Sequence, residues 1–161
     1  MTATLLVLLV TATACGAQDS IPGDPLKPGA AGTRTGGIAY SGQLAILESF
    51  PVQLAATVIA RNASSSAVTL NFPDSCVVLL RAYRGDEVVW DQSQGTACLQ
   101  MIVTVELAPG ESRSFTSRTD AYAILGKDLA DGAYRITGYL RPQRGIVEVE
   151  LGEADLAIPR S

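Results

Sequence analysis

Chemistry in this chain has to come from carboxylates, hydroxyls and three cysteines, because its 161 residues include no histidine. That removes the commonest general base, the commonest zinc ligand and every Ser-His or Cys-His nucleophile pair. The 16 Asp and Glu side chains are scattered, without the regularly spaced acids and glycine of an EF-hand calcium loop. Glu148 and Glu150 would share one face of a strand, but so would any two residues spaced by two; alternating acids fit an exposed face. The residue types therefore imply no cofactor, no metal and no catalytic group, and the chain reads as a non-enzyme. With 12 basic side chains against 16 acidic ones the formal charge is −4, which implies no nucleic-acid partner.

The cysteines fall into one and two. Cys15 closes the apolar run Ala3–Ala14, which is too short for a membrane-spanning helix of roughly twenty residues and suits the apolar core of a signal peptide. The run ends in Ala12-Thr13-Ala14-Cys15, which resembles a bacterial lipobox, where the cysteine is lipidated and becomes the first residue. Ala12 stands where the lipobox usually has Leu, and no Lys or Arg precedes Cys15. An ordinary cleaved signal would leave an unpaired thiol, and a buried core strand would need framing turns. Only the lipobox gives Cys15 a use. Residues 1–15 are expected to be a lipoprotein-type signal, with lipid on Cys15 anchoring the chain to a bacterial membrane outside the cytoplasm. A secreted or periplasmic soluble chain is the alternative.

Cys76 and Cys98 lie 22 positions apart, a spacing that fits no C-x-x-C metal or redox motif. In an exported protein two remaining cysteines most simply pair, and that closure would stabilise by roughly 3 kcal/mol in the chain-entropy model. Two free buried thiols are the other outcome.

These groups need a scaffold, and the pattern around them is all-β. Residues 16–37 contain Pro22, Pro25, Pro28 and many glycines, which predicts a disordered tether with a reach of roughly 25 Å. From residue 38 to 161 the apolar period is two. Val52, Leu54, Ala56, Val58 and Ala60 share one face of a strand, and Gln53, Thr57 and Arg61 the other. Asn62-Ala63-Ser64-Ser65-Ser66 reads as a turn, although Asn62-Ala63-Ser64 is also a formal glycosylation sequon. Val68, Leu70 and Phe72 point inward from the next strand. Further strands are expected at Cys76–Tyr83, Val88–Trp90, Met101–Leu107, Ser112–Arg118, Gly132–Arg141 and Ile146–Leu151, with a helical turn within Tyr122–Leu129. Short strands with turns between them indicate an immunoglobulin-like antiparallel β-sandwich. Leu129-Ala130-Asp131-Gly132-Ala133-Tyr134 resembles a tyrosine corner, which makes Tyr134 structural. Trp90, ending a hairpin strand, is expected in the core.

In this order the elements resemble the BsuPI family, the bacterial domain called intracellular proteinase inhibitor. The resemblance runs from about Val52 to Leu140. Its residues are Asn62-Ala63-Ser64, Leu70-Asn71-Phe72, Gly85-Asp86-Glu87-Val88-Val89-Trp90-Asp91-Gln92-Ser93, Leu107-Ala108-Pro109-Gly110-Glu111-Ser112, and Gly132-Ala133-Tyr134-Arg135-Ile136-Thr137-Gly138-Tyr139-Leu140. Ser75-Cys76-Val77-Val78 departs from the family's Ser-Gly-Gln turn, and a common tryptophan is missing near Phe115.

Two functions follow as expectations. One is a membrane-tethered, non-catalytic binding or structural module meeting an envelope protein through end loops or edge strands. The other, which the resemblance implies, is an inhibitor that presents a rigid loop to a serine protease. The candidate loop is Gln92-Ser93-Gln94-Gly95-Thr96-Ala97, beside Cys98, and Arg141-Pro142-Gln143-Arg144 is second.

Overall fold

The computed structural model describes residues 32–47 and 49–159, and Cys15 and most of the expected tether lie outside them. The strands are β1 Thr33–Thr35, β2 Ile38–Leu47, β3 Gln53–Asn62, β4 Val68–Phe72 and β5 Val78–Arg84. They continue as β6 Glu87–Asp91, β7 Val103–Leu107, β8 Ser112–Asp120, β9 Gly132–Leu140 and β10 Val147–Leu156, with one short helix, α1, at Ala121–Leu125. One sheet has the order β1-β2-β3-β8, the other β10-β9-β5-β6, and β4 pairs with β7 as a separate ribbon. All pairings are antiparallel. The all-β sandwich read from the alternation is the fold.

Alternation decides which faces meet. β3 buries Leu54, Ala56, Val58 and Ala60, the face read from the sequence, and packs them into one core with Val78, Leu80 and Ala82 of β5, Ile136 of β9 and Val149 of β10. Two glycines set how closely the layers approach. A Cβ on Gly138 of β9 would lie 2.9 Å from Val58 Cγ2, and one on Gly42 of β2 would lie 2.3 Å from Leu151 Cδ2. Neither position has room for a side chain.

Three expectations change at the element ends. The tether was expected to run to Gly37, yet Thr33–Thr35 pair with Ile38–Tyr40 across the Gly36-Gly37 turn, so the domain takes in β1. The strand expected from Met101 begins at Val103, and Met101 and Ile102 are exposed. The one expected from Cys76 begins at Val78, because Cys76 and Val77 belong to the disulfide corner. The Pro109-Gly110 turn follows the strand before it as expected, but carries the chain from the β4–β7 ribbon to the β1-β2-β3-β8 sheet. A helical turn does follow β8: Asp120 Oδ1 accepts from the Ala123 N–H and caps α1.

Two polar residues hold the ends. The Tyr134 hydroxyl, on a buried ring, donates to the Ala130 carbonyl at 2.5 Å, and Arg84 Nη2 donates to the same hydroxyl at 2.7 Å. This is the expected tyrosine corner. Asn62, fully buried, donates from Nδ2 to the Ser66 and Leu107 carbonyls and accepts at Oδ1 from the Ser64 N–H and hydroxyl. Every polar atom of that side chain is used inside the fold, so the sequon is closed to glycosylation in the folded chain.

Candidate functional site

The predicted loop starts where β6 ends, and its first residue is an internal tie rather than a displayed one. Gln92 Oε1 accepts from the Leu80 N–H at 3.0 Å and from the Ser117 hydroxyl at 2.9 Å, while Nε2 donates to the Arg118 carbonyl at 3.0 Å. One amide thus links β5 of one sheet to β8 of the other, two strands that do not pair with each other among the described residues. Gln92 leaves the list of contact residues for that reason. Asp91 Oδ1 accepts from the Ser93 N–H at 2.9 Å and from its hydroxyl at 2.7 Å, which caps a 3-10 turn at Gln92–Gln94.

The far side of the loop is covalent. Cys76 and Cys98 form the expected disulfide. Beside it, the Ser75 N–H donates to the Leu99 carbonyl at 3.0 Å, and the Leu99 N–H donates to the Ser75 hydroxyl at 2.9 Å. Between these anchors Ser93, Gln94, Gly95, Thr96 and Ala97 are all exposed. Their backbone is fixed at both ends, and apart from the Ser93 hydroxyl, which bonds Asp91, their side chains are free to meet a partner.

The same segment continues in a way the sequence reading missed. Leu99, Met101 and Ile102 are 70%, 52% and 65% exposed. Three large apolar side chains this open on four consecutive positions resemble a contact surface more than a strand start. The sequence signal was available: Met101-Ile102-Val103 breaks strict alternation, which should have delayed the strand.

The second candidate is less free. Arg141 Nη2 donates to Asp74 Oδ2 at 2.9 Å, and the Gln143 N–H donates to the Asn71 carbonyl at 2.9 Å. These bonds tie the β9–β10 turn to β4 and the disulfide corner. Asp74, Cys76 and Cys98 bring three potential metal-ligand atoms close together. With both sulfurs in the disulfide and Asp74 bound to Arg141 and the Cys76 N–H, they form a structural corner.

Trp90 points inward, half-buried, and packs against the core as expected. Glu148 and Glu150 do share the outer face of β10, but they are not simply solvated. Arg81 on β5 donates from Nε to Asp91 Oδ2 at 2.8 Å and from Nη1 to Glu148 Oε2 at 3.1 Å. Thr137 and Tyr83 hydroxyls also bond Glu148, Tyr139 OH donates to Asp91 Oδ1 at 2.7 Å, and Arg135 pairs with Glu150 at 3.0 Å. The guanidiniums of Arg81 and Arg135 stack on the rings of Tyr139 and Tyr83 at 4.1 Å. Burial alone would raise the Asp91 carboxyl, but hydrogen bonds from Arg81, Ser93 and Tyr139 outweigh it and hold it at about 2. Glu148 is lowered in the same way: burial opposes the shift, and bonds from Tyr83 and Thr137 with the Arg81 charge overcome it. Carboxylates held this firmly ionised are poor proton donors, and their lone pairs are already taken.

A model of the BsuPI family, described as intracellular proteinase inhibitor, matches residues 46–145. The chain belongs to the BsuPI family. The matched span contains β3 to β9, the disulfide, the clamped loop and the β9–β10 turn. No curated protein matches the sequence. Among solved structures, a β-glucosidase from Listeria innocua in complex with glucose is similar over 73% of this chain and 16% of its own, at 14% identity and TM-score 0.35. A β-glucosidase from Erythrobacter marinus is similar over 71% and 15%, at 17% identity and TM-score 0.37. This BsuPI chain thus spans about a sixth of the length of those proteins.

Proposed function

We propose that this chain is a non-catalytic binding module whose partner is a serine proteinase, met through the clamped segment Ser93–Ala97 and its apolar continuation Leu99–Ile102. The observation that carries the reading is the clamp. Asp91 and Gln92 fix one end, the disulfide and Ser75 fix the other, and the residues between are exposed. A segment ordered before binding loses less entropy on binding, which is how a short loop gains affinity for a protease cleft. The family description supports a proteinase as the partner.

The module is tethered outside the cytoplasm through lipid on Cys15. The lipobox-like run supports this, and so does a disulfide that a reducing cytoplasm would not favour. Mass spectrometry of the membrane fraction checks it, the expected species beginning at a diacylglyceryl-modified Cys15. The main test is a titration of a subtilisin-like and a trypsin-like protease with the full chain. Slowing of at least one at micromolar concentration is expected; no slowing of either sinks the proteinase reading.

A further inference from the structure

A second surface lies away from the clamped loop. Between β2, the outer edge of β4 and the β9–β10 turn is a groove of about 510 Å³, lined by Ile38, Val68, Leu70, Ile146 and Val147 among others. Three observations concern what it would hold.

The first is the backbone of β4. The Asn71 carbonyl accepts from the Gln143 N–H, so it points away from β7. In an antiparallel strand the N–H and C=O of one residue point to the same side, and those of residues two apart agree. The Asn71 N–H and both backbone groups of Thr69 therefore face the groove, where no strand among the described residues pairs with them. The second is Tyr40. The residue lines the groove and is 3% exposed overall, while its hydroxyl oxygen is not fully enclosed and has no hydrogen-bond partner among the described residues, so it is free to donate to a bound group. The third is charge. Among the described residues Arg144 is the only charged one in the lining, is exposed, and makes no ion pair.

We infer that this groove takes an extended, largely apolar peptide segment carrying one carboxylate, added as a strand to the open edge of β4. Thr69 and the Asn71 N–H supply ladder bonds, and Gln143 closes the ladder at the Asn71 end. Alternate side chains of the added strand settle against Leu70, Ile38 and Val147, and the Tyr40 hydroxyl donates to a peptide acceptor. In antiparallel addition the first peptide residue lies beside Arg144, which places the carboxylate there. Recognition of this kind draws affinity from backbone pairing and selectivity from the pockets. The inference does not rest on the proteinase reading, because it uses none of the same residues.

The test is an NMR titration of the ¹⁵N-labelled full chain with acetyl-Glu-Val-Thr-Val-Thr-amide and with the same peptide bearing Gln for Glu. Saturable shifts are expected at the Thr69 and Asn71 amides, with amide exchange at Thr69 slowed about tenfold. The Gln peptide should bind about two- to fivefold more weakly, and Arg144→Gln should erase that difference. Tyr40→Phe, which removes only the hydroxyl, should weaken both peptides about fivefold. Absence of saturable shifts at Thr69 and Asn71 would overturn the inference. Equal binding of the two peptides to the unaltered chain would overturn it too. So would concentration-dependent shifts at Thr69 without peptide, which would mean that a second copy of the chain fills the edge.

Discussion

Asp91 and Gln94 are three residues apart in one stretch of chain, and the structure treats them in opposite ways. Asp91 belongs to the outer face of β5, β6, β9 and β10, where Arg81, Tyr83, Arg135, Thr137, Tyr139, Glu148 and Glu150 satisfy one another. Gln94 belongs to a segment whose backbone is anchored but whose side chains touch little. The first region carries most of the reactive-looking groups, and they are spent on holding the sheet. The second carries unremarkable residues, and they remain available. In this fold, charge and hydroxyl density mark the scaffold, while fixed backbone with free side chains marks the contact surface.

The strongest way to break that contrast is to release the backbone. Replacing both cysteines, Cys76→Ser with Cys98→Ser, should cost about 3 kcal/mol in the chain-entropy model, read as a lower urea midpoint. It should also remove protease inhibition, because the exposed segment then pays its ordering entropy on binding. A variant equally stable but inhibitory would show that the clamp is irrelevant. Next, Arg81→Ala leaves Asp91 and Glu148 partly buried without their cation, and should cost about 1–2 kcal/mol. Inhibition per folded molecule should not change, since Arg81 lies on the scaffold face.

Acid sharpens the contrast further. The folded Asp91 carboxyl is lowered from 3.8 to about 2, so the stability it contributes is complete above the unfolded value and is lost as pH falls toward about 2. Glu148 adds in the same direction. Asp91→Asn should flatten this acid limb of a stability–pH curve, whereas Gln94→Glu should leave the limb in place. Smallest of all, Gln94→Ala and Thr96→Ala together should move stability by less than about 0.5 kcal/mol in urea unfolding.

The sequence made the scaffold legible where one rule dominated. Alternation in β3 named its buried face, the Asp-Gly-Ala-Tyr run located the Tyr134 corner, and cysteine arithmetic paired Cys76 with Cys98. It failed where partners are far apart in the chain. Gln92 looked like a loop residue because nothing local shows that Leu80, Ser117 and Arg118 converge on it. Glu148 looked solvated because Arg81 lies 67 positions away. Gly36-Gly37 read as linker because a hairpin of three residues carries almost no pattern of its own.

The most direct measurement compares two chains in the protease titration: the unaltered one, and the double variant Gln94→Ala with Thr96→Ala, whose stability should hardly differ. The double variant is expected to inhibit at least about tenfold more weakly, the loss of central contacts at an interface. Equal inhibition by the two chains would contradict that expectation.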